Sequence, residues 1–547
     1  MAGLSAHNRT LLVLLLSVVA SAVLCAMMDR PARPPRPEDS GALPTIHPAN
    51  AYLQEGEAVR ISAHEGEALW IATDNRINHA TRHGSSSALT ARADARAVAR
   101  ALATPTAIQW RHPRAGLPAA QVVRAAEGRG PYAMRTFLFT RHALPVVSIS
   151  TDPDGLLGAA EGIAVPGEGI LHLPAATLRT YANDPKWWKY PGNYHGRGKA
   201  WERKARVQLI GTDGEELLQA DAGLRINGQM TRGFPQHAFR LLFAEPLPTG
   251  PFADGDGAGS RALVLRAAGN DQVKAMLRDA YQHALCDDLP FGTSKSLTCV
   301  AYLNGAYQGV HHLRQRMDAR ELARRHGIAR KRITLIEDKN ALVSGDSADL
   351  KRFARLMSRT ERWDAKDPAW LDTLEARMDV HGFLTYMASQ MILGNMDWPR
   401  QNVKYWRWNG RPELGTVRDG RWRFVMGDSD LGFGANAPAT TDLFVKVRAA
   451  GTILSRLYLA MMRNDVLRER FVNIGQALIE GPFATDRCIA VLDSVAAAMR
   501  PEMERHTDRW RKPATVAQWE QEVEAIRAFA RARMPEARRQ LNDMTAP

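Results

Sequence analysis

The period of the apolar positions changes along the chain, and each change marks a different kind of element. From about residue 45 to residue 145, apolar residues alternate in short runs (EAVRISA, ALWIATD, PTAIQWRHP, MRTFLFT) separated by Gly, Asn and Pro. Period-two alternation bounded by turn formers predicts strands, and several short ones in succession predict a small β-sandwich. LPVVSISTDPDGLLG (144–158) opens the larger region with an alternating strand that ends in an Asp-rich turn, and a hairpin is expected about Asp213 and Gly214. Residues 223–243 and 297–313 have strand character, while 274–289 carry apolar residues at helical spacing. Residues 349–393 and 452–541 are amphipathic at the helical period. Between these two stretches, 403–408 alternates and is rich in β-formers, 410–420 is a polar turn and 421–426 is a return strand. The sum is an α+β fold, strand-rich in its first half and mainly helical in its second.

One run follows neither period. Residues 11–28, LLVLLLSVVASAVLCAMM, are almost unbroken apolar sequence preceded by His7 and Arg9, which predicts a signal peptide or signal anchor. A small-x-small cleavage site is missing, and Leu24 precedes Cys25 where a lipoprotein signal wants a small residue. An uncleaved membrane helix is therefore favoured, with the bulk of the chain exported to the periplasm or cell surface. PARPPRPEDSGALP (31–44) reads as a Pro-rich spacer. The predicted division is 1–44 for anchor and spacer, 45–143 for the β-sandwich and 144–547 for the main domain. The sandwich supplies none of the candidate site residues, and the remainder is expected to fold without it.

Composition changes this picture little. A chain of 547 residues with 45% hydrophobic content is enough for two or three domains with cores. The formal charge of +14 implies attraction to anionic partners, yet Arg is spread along the chain rather than gathered into a stripe with aromatics, so no nucleic-acid partner is expected. Four cysteines without a Cys-x-x-Cys pair argue against a structural zinc site and a disulfide scaffold. Cys286 and Cys299 are expected as separate buried thiols.

Candidate chemistry lies in NMDWPRQNVKYWRW, which begins at Asn395, and in RWRFVMGDSDLGFG, which ends at Gly434. Asp397 precedes Asn402 by five residues, and Asp428 and Asp430 follow the return strand. A phosphotransfer site needs a carboxylate to orient the nucleophile and take its proton, an amide oxygen for one Mg²⁺, and a carboxylate bridging metal and phosphates. The Asp-x-x-x-x-Asn offset supplies the first two from one loop, and Gly432 and Gly434 permit close backbone approach to a phosphate. Spacing alone is weak, because an Asp five residues before an Asn arises by chance about once in such a chain. Asp428 and Asp430 would serve equally as turn or cap residues. Asp152 and Asp154 invite a metal reading, though a solvated turn is simpler. The aromatics of KWWKYPGNYHGRGKAW either line a glycan groove or, by default, pack on the sheet. Glu502 and His506 share a helix face but lack a third ligand.

NMDWPRQNVKYWRW followed by DSDLGFG resembles the signature of the spore-coat CotH kinase family, whose fold is atypical protein-kinase-like. The resemblance continues through GLRINGQMTRGFPQHAFRLLF (223–243), LVLRAAGNDQVKAMLRDAYQHAL (263–285), AYLNGAYQGVHHLRQRMD (301–318) and RPEMERHTDRW (500–510). It covers roughly 145–540. It implies a two-lobed domain, N-lobe about 144–340 and C-lobe about 341–547, that uses ATP and Mg²⁺, or Mn²⁺, to phosphorylate Ser or Thr of an envelope or surface protein. On that resemblance Asp397 is the catalytic acid, and Asn402, Asp428 and Asp430 are metal ligands. Arg240, Arg266 and Arg278 are candidate cations for the phosphates, each with a strand-to-helix salt bridge as its alternative, and Gln315 lies on the nucleotide side. Two departures stand out. Gln236-His237-Ala238-Phe239-Arg240 replaces a Lys-rich strand start, and Gln315 stands where an acid is usual. The segment 45–143 is similar, through IATDNR and MRTFLFTRH, to chitobiase-type C-terminal modules. The rival class is a kinase-like surface-binding or adhesion protein that transfers no phosphate; a carbohydrate-binding protein is a third reading, resting on the β-module and the Trp-rich segment.

Overall fold

The strands of the first large region wrap round on themselves. In the computed structural model, which describes residues 43–64, 68–76, 79–114, 116–127, 131–248, 252, 259–338 and 341–544, seven strands form a closed barrel. They are Val146–Thr151, Arg203–Ile210, Glu216–Asn227, Ala238–Phe243, Ala262–Arg266, Ser296–Leu303 and Ala306–Gln315. All neighbours are antiparallel except Ser296–Leu303, which runs parallel to Val146–Thr151. Alternate residues such as Ile149, Val207, Leu224, Leu241, Leu265, Ala301 and Leu313 fill the interior. The positions between them therefore face outward. Register places Arg225, Arg240, Val264 and Arg314 side by side on one outer flank, with Arg266 and His312 in the next row.

The element expected over 274–289 is shorter than its periodicity suggests. A 3₁₀ turn at Gly269–Val273 precedes a helix confined to Arg278–Leu285. Ala268, Gly269 and Met276 all take positive φ (55°, 62° and 64°), so the backbone turns twice before the helix can start.

The hairpin Val403–Trp408/Arg423–Met426 forms with the expected pairing and joins Ile333–Glu337 and Ala341–Ser344 in a four-stranded sheet. Behind it lies Val380–Ile392, a helix apolar on nearly every side and correspondingly buried. Its Phe383, Tyr386 and Met387 share the main core with Tyr405 and Phe424 of the hairpin and with Ile526, Phe529 and Met534 of Val516–Asn542.

Residues 45–138 make two small sheets that pack on each other through Val59, Ile61, Leu69, Ile71, Val123 and Phe137. This is a sandwich, and it is fastened to the barrel. Thr106 Oγ1 donates to Pro235 O (2.6 Å), the Thr136 amide donates to Gln208 Oε1 (2.9 Å), and Ala120 and Leu138 belong to the main core.

Several expectations resolve into structural roles. Asp152 caps the helix Pro153–Leu157 through two amides, and Asp154 pairs with Arg76 at 2.8 Å. Trp187 is buried against Phe234, and Tyr181 stacks on Tyr190. Glu502 Oε1 meets His142 Nδ1 at 3.0 Å, while His506 accepts from the Val310 amide and bonds the Lys512 carbonyl. Cys286 and Cys299 are buried free thiols.

The membrane-anchored, exported localisation does not stand. Its carrier, residues 11–28, lies outside the described residues, and among the described residues no helix is long and apolar enough to cross a membrane. Val516–Asn542 has the length, at 27 residues, but it carries Glu520, Glu522, Glu524, Arg527 and Arg531.

Candidate active site

Two loops at one end of the hairpin bring the acids together. The first follows Val380–Ile392, where Gly394 takes φ 73° and turns the chain. Trp398 is fully buried and donates from Nε1 to Tyr386 OH (2.8 Å), which fixes the loop on the helix. Asn402 adopts φ 62° and leads into the strand. Because Val403 pairs with Met426, Asn402 lies opposite Gly427, where a Cβ would come within 2.3 Å of the Asn402 carbonyl oxygen. Only glycine lets the second loop leave the strand so close to the first. Asn395 ties the two, donating from Nδ2 to Gln390 Oε1 (2.9 Å) and to the Asp428 carbonyl (3.3 Å).

The second loop, 427–434, is held by residues that sequence reading did not single out. Asp279 accepts from the Ser429 amide (3.0 Å) and hydroxyl (3.2 Å), and its other oxygen pairs with Arg314. Gln282 Nε2 donates to Ser429 O (2.6 Å). His283 Nδ1 accepts from the Ser294 amide, so its Nε2 carries the proton and donates to Gly427 O (2.9 Å). The available signal was the trio 279, 282 and 283 at i, i+3 and i+4, one polar face on a helix that is almost wholly buried.

Arg266 stands opposite, on the outer flank of the barrel. Its Nη2 lies 2.5 Å from Asp428 Oδ1 and 3.1 Å from Asp430 Oδ2, and its Nε is 3.4 Å from Asp279. Asp430 Oδ2 also accepts from the Asn270 amide (2.7 Å). A Cβ at Gly269 would sit 2.0 Å from that oxygen, so the approach again requires glycine. The side chain of Asp428 is 32% exposed and that of Asp430 only 3%. Burial, reinforced by the neighbouring Asp428 charge, pushes the Asp430 carboxyl up to about 7. Burial opposes the Asp428 charge too, but Arg266 prevails and holds that carboxyl below the usual range. Asp397 is raised by burial and by Asp428, with Lys446 pulling the other way. Asp428 therefore acts on the carboxyls of both Asp430 and Asp397 across the two loops.

The remaining candidates divide. Arg240 lies on the same flank as Arg266, bonds Asn227 Oδ1 (3.1 Å), and makes no ion pair among the described residues; burial and the nearby Arg316, Arg232 and Arg225 bring it down to about 10. Arg278 corrects the expectation of a phosphate-facing cation. It is 1% exposed and held by Asp271 (2.5 Å), Glu522 (3.1 Å) and the Phe433 carbonyl (3.4 Å), so it clamps helices together. Gln315 is buried at the end of its strand, where Oε1 accepts from Arg325 (2.7 Å) and the Lys295 amide (3.2 Å). Gln236 and His237 are buried as well, bonded to Val310 O and Thr106 O, so the positions that replace the Lys-rich start do not face this site.

No group of three or more His, Cys, Asp or Glu side chains among the described residues is arranged to hold a metal. Mg²⁺, however, takes oxygen donors and is usually bound by one or two carboxylates together with substrate phosphates. Asp428 and Asp430, too close for both to ionise freely, fit that donor set, and Asn402, whose backbone lies against Gly427, is an amide at the start of the same loop pair.

Residues 224–536, more than half of the chain, match the family model described as CotH kinase protein. The chain belongs to the CotH kinase family. No curated protein matches it. The CotH match begins within the barrel strand Glu216–Asn227 and ends in the helix Val516–Asn542, so it takes in both acidic loops and Arg266. The sandwich and the first two barrel strands precede it.

Proposed function

We propose that this CotH protein transfers the γ-phosphoryl group of ATP to a Ser or Thr hydroxyl of a protein partner. The observation that carries the reading is the meeting of Asp397, Asn402, Asp428 and Asp430 at one end of a hairpin, opposite Arg266. The acceptor oxygen forms a bond to the γ-phosphorus, the bond to the bridging oxygen breaks, and ADP leaves. Asp397 accepts a hydrogen bond from the acceptor hydroxyl and takes its proton late in transfer; its raised pKa suits it to that role. Arg266 and Arg240 present guanidinium groups to the phosphates. Asp428, Asp430 and Asn402 would hold Mg²⁺ or Mn²⁺, which when bound supplies neutralisation of the β- and γ-phosphate charge.

A binding-only protein is the second reading. Arg266 already neutralises Asp428 and Asp430, as a retired metal site would require. One experiment separates the two: labelling of the protein, and of added protein acceptors, from γ-labelled ATP with Mg²⁺ or Mn²⁺, alongside calorimetric ATP titrations. Asp397→Ala should cut transfer by about 10²- to 10⁴-fold while keeping most metal-dependent ATP binding. Asp428→Ala should lose both, because a metal-bound carboxylate contributes to ground-state affinity. Unchanged ATP binding in the Asp428→Ala and Asp430→Ala variants, with no labelling of the wild type, would leave the binding-only reading in place.

A further inference from the structure

Beside Asp397 the surface carries charge that phosphoryl transfer does not use. Met396, Trp398, Pro399, Arg400 and Lys446 line a pocket of about 130 Å³. That is well below the roughly 300 Å³ at which small-molecule sites begin, and it suits a single side chain. Its floor is apolar and fixed, since Trp398 is fully buried and bonded to Tyr386. Its rim is cationic. Lys446, on the helix Leu443–Ala449, donates from Nζ to the Met396 carbonyl (2.8 Å). Arg400 is exposed one turn beyond Asp397. Among the described residues neither cation forms an ion pair, and Lys446 feels Arg400 as a repulsion and Asp397 as an attraction.

Two cations held side by side repel each other, and Asp397, the carboxylate that Lys446 feels, is not in ion-pair contact with it, so a further anion at the rim is favourable. Lys446 is already oriented by a backbone carbonyl, so an incoming anion meets a positioned charge and little ordering remains to be done. On the proposed reading the nucleotide phosphates belong with Arg266, which meets Asp428 and Asp430 rather than Asp397. The side of Asp397 away from Asp428 is where the acceptor chain would pass.

We infer that the pocket rimmed by Lys446 and Arg400 receives a carboxylate side chain of the acceptor polypeptide, next to its Ser or Thr, so that the partner is an acidic segment of protein. The inference rests on Asp397 serving the acceptor hydroxyl. The positive formal charge of the chain, +14, would steer such a partner toward it.

The test uses the full chain and two labelled peptides, one with Glu flanking a central Ser and one with Gln at the same positions. Fluorescence anisotropy without nucleotide reads binding, and phosphate incorporation reads transfer. The Glu peptide should bind about tenfold or more tightly than the Gln peptide, the equivalent of one good charged contact, and added salt should weaken it. Arg400→Gln should remove most of that preference in both assays and leave the Gln peptide unaffected, and Lys446→Gln, which also acts on Asp397, should remove it in the binding assay. Arg400 is exposed, so its substitution tests recognition without disturbing the fold. Equal binding of the two peptides, or a preference that survives both substitutions, would overturn the inference. Transfer without a Glu preference would overturn it alone. Glu-dependent binding with no transfer would refute the phosphotransferase reading and leave recognition of acidic segments standing. Absence of both would refute both.

Discussion

Arg266 and Asp428 meet at 2.5 Å across the cleft, and the same guanidinium nitrogen lies 3.1 Å from Asp430. A fixed cation thus does part of what a divalent ion would do. Replacing it by Arg266→Gln leaves adjacent carboxylates without that counter-charge. Removing one partner of a buried pair costs about 3–5 kcal/mol, and the lower figure applies here because Asp428 keeps a third of its exposure. The variant should melt lower without metal, and Mg²⁺ should raise its Tm by more than it raises that of the wild type, since a ligand that binds only the native state stabilises it. Equal Mg²⁺-induced shifts in the two proteins would show that these acids do not hold the ion.

Asp279 is the residue on which the acidic loop depends for its shape. It joins the Ser429 amide, the Ser429 hydroxyl, Arg314 and Arg266 at a single carboxylate. Asp279→Ala leaves Arg314 buried without its partner and should cost about 3–5 kcal/mol, read as a fall in the urea midpoint. Asp279→Asn keeps an acceptor for Ser429 but no charge, and should fall between wild type and Ala. An Asn variant as unstable as Ala would assign the whole effect to the ion pair rather than to the loop.

Much of the layout was legible because it is local. The hairpin of Val403–Trp408 and Arg423–Met426, the helical second half and the small sandwich each announce themselves by period and turn residues. Barrel closure does not, because it depends on Val146–Thr151 finding Ser296–Leu303 as a parallel neighbour, a pairing that alternation within either strand cannot encode. Arg278 was misplaced for a related reason. A motif identifies the residue but not the side of the element it faces, and its partner Glu522 is 244 positions away. Asp279, Gln282 and His283 were passed over because a polar trio on a helix resembles a solvated face until its burial is known.

Acid should destabilise the protein well before ordinary carboxylates titrate. Burial lowers His237, His283, His311, His312 and His326 to about 4 and His506 to about 3. Their ordinary value in the unfolded chain is about 6.5. Between the two values the unfolded state binds more protons, so stability rises with pH there. Their contribution is complete above about pH 6.5 and is lost as pH falls toward 4. Asp430, raised to about 7, acts in the opposite sense over much of that window, and Asp397 and Asp271, also raised by burial, act with it, but the six histidines outnumber these three carboxyls. Urea midpoints should be nearly level around pH 7 and fall steadily from pH 6.5 to 4.5. A midpoint that stays level through that interval would mean that these histidines are not buried as neutral groups.

The sandwich should prove necessary for the fold of the rest. Thr136 bonds Ser148 (2.8 Å) and Gln208 (2.9 Å), Arg124 bonds Ser150 (2.5 Å), Ala119 pairs with Ala306, and Thr106 reaches Pro235 (2.6 Å). Ala51, Ala120 and Leu138 pack in the same core as Val146, Tyr302 and Tyr307. Without the sandwich, the outer wall of the barrel on this side would present those residues to water. At about 25 cal/mol per Å² of apolar surface, a few hundred Å² is comparable with the net stability of a domain, about 5–15 kcal/mol. The segment that carries the CotH match, 224–536, is worse placed, because it lacks the strands Val146–Thr151 and Arg203–Ile210 that close the barrel. Of three proteins spanning 43–547, 141–547 and 224–536, only the first should be soluble and melt cooperatively. A soluble 141–547 protein with a single sharp transition and a retained Mg²⁺-ATP shift would show that the sandwich is an independent attachment and that its contacts with the barrel contribute little.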